Sequence, residues 1–147
     1  MFRKKDHCFR TLFYKRIGKL SFPIKLLFRP KYNTFRIGCP DIEGGGIYMS
    51  HPYGTTLNCE HIGYGCSFMQ NTTFGAKPHK GKLGRPYLES YVKVGANAVV
   101  IGDVHIGNHV TIGAGAVVTK SIPDNCVVVG NPARIIFKDG VRVELPL

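Results

Sequence analysis

A period of six residues governs most of this chain, and internal repeats constrain a fold before any local propensity does. Ile62, Phe68, Phe74, Leu88, Val94, Val100, Ile106, Ile112 and Val118 fall in one register of six, with a single break. Four residues after these positions come Cys66, Thr72, Val92, Ala98, Val104, Val110, Ala116 and Ile122, mostly small or β-branched. An α-helix needs a period near 3.6 and a simple strand a period of 2, so neither accounts for the pattern. Short strands turned every six residues do, and three such sides close a triangular coil. The first position points inward, and the fifth fills the space near the corner. Glycine follows the aliphatic residue at Gly63, Gly75, Gly95, Gly107 and Gly113, where it suits a tight corner. Stacked coils bury a continuous column that no single coil could bury. About four coils fit between residues 38 and 123. The predicted fold is all-β, a parallel β-helix.

The period breaks once. Phe74 and Leu88 lie 14 residues apart where 6 would serve, so eight extra residues leave the coil. The resulting loop, 76–87, is rich in Gly, Pro and basic residues, and a loop ejected from a rigid solenoid is a common carrier of function.

Charge divides the chain. Residues 1–33 hold ten Lys and Arg against Asp6 alone, +9 of the total +11; the remaining residues hold ten bases and eight acids. Phe9, Leu12, Phe13, Ile17 and Leu20 recur at spacings of three and four, which predicts a basic amphipathic helix limited by Pro23 and Pro30. Such a helix can lie on an anionic membrane surface as a peripheral contact, or pack its stripe on the coils. The length suits one domain, organised as a basic segment 1–36, the coils 37–138 and a tail 139–147. A hydrophobic content of 44% supports a packed core. No apolar run reaches the ~20 residues of a membrane-spanning helix, and no secretory signal is evident, so the expected location is cytoplasmic. Cys8, Cys39, Cys59, Cys66 and Cys126 form no CxxC pair, and reduced thiols are expected. No set of His, Cys and acids has zinc spacing, so no metal is expected. Nucleic-acid binding has only the charge to support it and is not expected.

Several segments carry a closer resemblance. Ile47-Tyr48-Met49-Ser50-His51-Pro52-Tyr53-Gly54 resembles the segment bearing the catalytic histidine of serine acetyltransferases and related sugar O-acetyltransferases. Asn71-Thr72-Thr73-Phe74-Gly75 resembles the coil just before that family's loop. Gly95-Ala96-Asn97-Ala98 and Gly113-Ala114-Gly115-Ala116-Val117-Val118-Thr119-Lys120 resemble its acetyl-CoA groove. Gly130-Asn131-Pro132-Ala133-Arg134-Ile135-Ile136 resembles its closing motif. The resemblance, to the hexapeptide-repeat acyltransferases, covers roughly residues 37–138. It implies a left-handed coil, a homotrimer with active sites between neighbouring coils, and acetyl-CoA as co-substrate.

Moving an acetyl group from a thioester to an alcohol requires a base for the alcohol's proton, and a neutral imidazole suits that task near pH 7. His51 is the candidate base. His79, in the loop, is the rival, because galactoside-type members of the superfamily carry their base there. His61 and His105 take the sixth place of their repeats and His109 the fourth, all expected to face solvent. The resemblance implies an orienting aspartate at the place occupied here by Arg36, which leaves Asp41 or Glu43 as the nearest candidates. The family's aspartate before the histidine is Ser50 here, and its second histidine before the proline ending the loop is Arg85. Ser50, His79 and Arg85 are thus the candidate acceptor-binding residues. Loss of a carboxylate at Ser50 disfavours an ammonium-bearing acceptor, so a sugar hydroxyl on a cell-surface polysaccharide precursor is expected, with serine as the alternative. An inert solenoid used as a scaffold or membrane-binding module is the third reading. For the donor, the resemblance implies Gly75, Ala76, Ala96, Gly113 and Ala114 along the pantetheine arm. It implies Thr119, Lys120 and Arg134 at the nucleotide end, where cations suit phosphates.

Overall fold

The computed structural model describes Phe13, Ile17, Gly18, Phe22 and residues 35–147 except Pro52 and Lys80. The amphipathic helix expected within residues 1–36 lies outside the described residues, those four isolated positions apart. Among the described residues no helix is long and apolar enough to cross a membrane.

The rest is a left-handed parallel β-helix of short strands on three faces. The first face stacks β1 (Arg36–Ile37), β4 (Thr56–Leu57), β7 (Thr73–Gly75), β12 (Val99–Ile101) and β15 (Val117–Val118). The second stacks β2 (Asp41–Ile42), β5 (His61–Ile62), β10 (Tyr87–Leu88) and β13 (His105–Ile106). The third runs through β3 (Tyr48–Met49), β6 (Ser67–Phe68), β11 (Lys93–Val94), β14 (Thr111–Ile112) and β16 (Cys126–Val129). It then reverses into the antiparallel β17 (Arg134–Lys138) and β18 (Val141–Pro146). The stretch 139–147, expected as a tail, is therefore a turn and an edge strand that close the last coil. A separate hairpin, β8 (Lys77–His79) with β9 (Lys82–Gly84), forms the loop.

Each face contributes one inward column. Leu57, Phe74, Val100 and Val118 stack in register on the first face. Ile62, Leu88, Ile106 and Ile122 do so on the second, and Phe68, Val94, Ile112 and Val128 on the third. Every member of these columns is buried, as is every residue in the fifth place from Cys66 to Ile122. The two periodic sets read from the sequence are thus the core. Phe68 and Phe74, both buried, meet edge to face at 5.6 Å.

Three of the glycines that follow inward residues have a different cause from the one expected. Gly63, Gly95 and Gly107 have no positive φ. A Cβ on them would lie 2.7, 2.6 and 2.6 Å from the backbone of the next coil. Close stacking, not an unusual dihedral, excludes a side chain there. The left-handed dihedrals fall two residues further on, at Gly65 (φ 69°), Tyr91 (φ 60°), Asn97 (φ 60°), His109 (φ 55°) and Gly115 (φ 68°). Asn and His tolerate that region better than most residues.

Cys39, Cys59, Cys66 and Cys126 are buried. Burial pushes the Cys66 thiol from 9.0 up to about 11, with nearby Glu43 adding to the shift and backbone hydrogen bonds from Val92 and Tyr91 opposing it. A raised thiol pKa leaves stability untouched while both states are protonated. Stability then falls as pH rises from about 9 to about 11, where only the unfolded chain ionises. Urea midpoints should therefore drop across that window, and Cys66→Ala should flatten the drop. Identical slopes for the two proteins would refute the assignment.

Candidate active site

His51 owes its position to an irregularity in coil length. Between β3 and β4 the corner holds residues 50–55, whereas the corner above it, between β6 and β7, holds only 69–72. The two strands on either side remain paired in register, so two surplus residues must bulge out. His51 sits on this bulge, exposed, with φ 51°. The bulge is tied down around it. Tyr53 N–H donates to the His51 carbonyl at 2.7 Å, Ser50 N–H to the Phe68 carbonyl at 3.1 Å, and Asn71 N–H to the Tyr53 carbonyl at 2.9 Å. Below, Thr55 and Thr72 are fully buried, and both hydroxyls donate to the Met69 carbonyl at 3.3 Å. Gly54 has φ 69°, a conformation that strains other residues, and a Cβ there would also displace the Asn71 amide, whose Oδ1 would lie 2.2 Å away. A hydrogen-bonded corner thus presents an exposed imidazole, flanked in sequence by Tyr48 and Tyr53, both about two-thirds exposed.

Neither acid expected to orient His51 is bonded to it. Asp41 Oδ2 lies 2.6 Å from His61 Nδ1, on the second face. Glu43 Oε2 accepts from Tyr64 N–H at 2.8 Å. His61, expected in solvent, is only 8% exposed. Its ring is covered by Tyr87 of the next coil, stacked with centroids 4.5 Å apart. Tyr87 stacks in turn on His105 at 5.2 Å, and His105 Nε2 lies 3.0 Å from Glu89 Oε1. Partial burial, then the carboxylates of Glu89, Asp41 and Glu43, raise the Tyr87 phenol. His109 stacks on Tyr91 at 4.8 Å. These outward ladders have no signature in the hexapeptide period, and only an explicit pairing of sixth-place residues across coils would have revealed them.

The loop carries a hairpin that pairs Lys77 with Gly84, Pro78 with Leu83 and His79 with Lys82. His79 is therefore on the arm, away from the corner that carries His51 in sequence. Arg85 Nη1, at the arm's foot, lies 3.9 Å from Glu60 Oε2.

The donor residues divide into two groups. Thr119, Lys120 and Arg134 line one cleft of about 540 Å³, with Asn131, Pro132 and Glu144. The Asn131–Pro132 peptide is cis. Lys120 Nζ donates to the Leu147 carbonyl just beyond β18. Gly75, at the end of β7, and Ala76, Ala96, Gly113 and Ala114, beyond strand ends, lie outside this cleft. Gly113 is already required by stacking, because its Cβ would lie 2.8 Å from Val129 Cγ1. Gly75 is not: its Cβ would make an ordinary 3.6 Å contact with Ile101. Among the described residues no group of His, Cys, Asp and Glu is arranged to hold a metal ion.

Comparison with known proteins bears on this geometry. The family model for bacterial transferase hexapeptide (six repeats) matches residues 85–120. A serine acetyltransferase from Synechococcus elongatus is 39% identical over 102 residues, which are 69% of this chain and 42% of that protein. One from Staphylococcus aureus (strain Mu50) is 33% identical over 102 residues, 68% of this chain and 47% of that protein. The chain thus spans less than half the length of these relatives. Soybean serine acetyltransferase, solved in complex with serine, superposes with a TM-score of 0.67 at 26% identity, covering 90% of this chain and 58% of that one. The Neisseria gonorrhoeae serine acetyltransferase, also in complex with serine, gives 0.58 at 28% identity, with 71% and 40% covered. The expectation of a sugar acceptor on a polysaccharide precursor is overturned by these matches, which are serine acetyltransferases. By its repeat, its coils and its relatives, the chain belongs to the hexapeptide-repeat acyltransferases and is serine acetyltransferase-like.

Proposed function

We propose that this chain transfers an acetyl group from acetyl-CoA to the hydroxyl of serine. The observation that carries the reading is the two-residue bulge that ends the first coil, between β3 and β4. It holds His51 exposed, within the Ser-His-Pro-Tyr-Gly segment, in a chain whose relatives are serine acetyltransferases. In the reaction His51 removes the serine hydroxyl proton as the oxygen attacks the thioester carbonyl carbon. The tetrahedral adduct collapses, the carbon–sulfur bond breaks, and the departing thiolate takes the proton back from the imidazolium. O-acetylserine and CoA leave, and His51 is neutral again. Rigidity at the corner helps because no rearrangement of the base is then needed at the moment of attack.

The acceptor's two charges need partners. Arg85 offers a guanidinium for the carboxylate, beside Glu60, whose Oε2 lies 3.9 Å from Arg85 Nη1. Ser50 offers a hydroxyl oxygen that can accept from the ammonium, in place of a carboxylate. The donor's phosphates suit the cleft containing Lys120 and Arg134, where a bound nucleotide would displace the Leu147 carbonyl from Lys120. A homotrimer, in which His51 and the loop of neighbouring protomers border one site, completes the proposal.

His51→Ala should lower kcat by about 10²–10⁴ with little change in acetyl-CoA affinity, followed as thiol release with serine present. A full rate in His51→Ala together with a dead His79→Ala would move the base to the loop. Lys120→Met should weaken acetyl-CoA by about tenfold and spare the KM for serine; an unchanged donor affinity would remove the cleft from the donor site. Light scattering at micromolar concentration should give a trimer, and a fully active monomer would refute the shared site.

A further inference from the structure

The loop leaves the coil lightly held and returns to it tightly held. At its start, Gly102 N–H donates to the Gly75 carbonyl at 3.0 Å. At its end four successive residues each engage the body. Gly84 packs so closely that a Cβ would fall 2.5 Å from Asp103 Cβ. Arg85 faces Glu60. The Pro86 carbonyl accepts from Glu60 N–H at 2.8 Å. Tyr87 re-enters the second face with its ring between two imidazoles, His61 at 4.5 Å and His105 at 5.2 Å, with interplanar angles of 18° and 15°. Each imidazole is held by a carboxylate, His61 by Asp41 and His105 by Glu89. Asp41, His61, Tyr87 and His105 are register partners on four successive coils. The hairpin beyond this foot has little else to rest on, since Lys77, Pro78, Lys82 and Leu83 are all exposed.

We propose that the Asp41–His61–Tyr87–His105–Glu89 column is a clamp on the returning foot of the loop, and that Tyr87 is thereby a positioning residue for the acceptor side of the site. The physical basis is leverage. A two-stranded hairpin is marginal on its own, so the direction of the arm is set where it joins the rigid coil. A ring stacked on both faces cannot slide or tilt without losing both contacts, and each carboxylate prevents its imidazole from turning away. Arg85 is two residues from the clamped ring, so any slack at Tyr87 reaches that guanidinium directly. The clamp's influence on turnover rests on the serine reading above, in which Arg85 meets the acceptor. Its influence on the arm does not.

The test uses the full chain and two readouts. The first is tryptic cleavage of the arm. Pro78 and Pro86 block the bonds after Lys77 and Arg85, so Lys80–Gly81 and Lys82–Leu83 are the arm's cleavable bonds. The second is steady-state kinetics with acetyl-CoA and serine. Tyr87→Leu fills space without a stacking face, and Tyr87→Phe keeps both stacks. Tyr87→Leu and Asp41→Asn should be cut in the arm several-fold faster than the parent, with the coils still resistant, and Tyr87→Phe at the parent rate. Tyr87→Leu should raise the KM for serine by about tenfold, with a smaller change in kcat and none in the KM for acetyl-CoA, and Tyr87→Phe should restore it. Arm cleavage in Tyr87→Leu at the parent rate would overturn the clamp. So would a Phe variant as defective as Leu, or cleavage that rises equally throughout the coils, which would mark a purely structural residue. If the parent protein fails to acetylate serine, the acceptor reading falls, while the cleavage pattern still decides the clamp.

Discussion

Everything in this molecule follows from the spacing of about 4.8 Å between neighbouring strands of a parallel stack. At that distance each residue sits directly on its counterpart one coil away. Inward positions must therefore be apolar in every coil, which gives Leu57, Phe74, Val100 and Val118 their common fate. The same spacing brings the next backbone within 3 Å of where a Cβ would stand on Gly63 or Gly95. It also governs the outside. Rings at equivalent places are close to stacking distance before any further arrangement, and His61, Tyr87 and His105 use that placement.

A stack so constrained leaves few places for chemistry. Residues obeying the period are committed to packing, and what departs from it is free to project. Two departures in the described coils are the two surplus residues that carry His51 and the eight that become the basic arm. Each is costly unless the adjacent coil stays regular, and in both cases it does. The strands flanking the His51 bulge remain in register with the coil above, and Tyr87 and Leu88 resume register with both His61-Ile62 and His105-Ile106. The scaffold absorbs the insertions at corners, between strands that keep their pairing.

This division explains what could be read from the sequence. The inward register was legible because it repeats, and repetition separates a packing requirement from chance. The loop was legible as an interruption of that register. The partners of Asp41 and Glu43 were not, because outward positions carry no period. A carboxylate twenty residues from a histidine looks unrelated until the coil length is known. His61 was misjudged for the same reason: outward means solvated only when the neighbouring coils bear small or flexible side chains, and here Tyr87 covers it. The last strand, β18, was hidden because it pairs antiparallel with β17 after the repeat has ended.

The acceptor shows how a local substitution can be overweighted. Ser50, where a carboxylate would suit an ammonium, argues against an amino-acid acceptor if that one contact decides binding. An ammonium has three donors and needs oxygen acceptors, not one particular carboxylate. A hydroxyl lowers affinity at that contact and leaves the reaction chemistry intact. In the proposed reading the carboxylate end of serine is the more demanding partner, because an anion needs a cation beside it. Arg85 offers one at the foot of the arm, two residues before Tyr87 re-enters the stack. Recognition in such a site therefore depends less on the identity of each contacting residue than on how rigidly the coil holds the few residues that leave it.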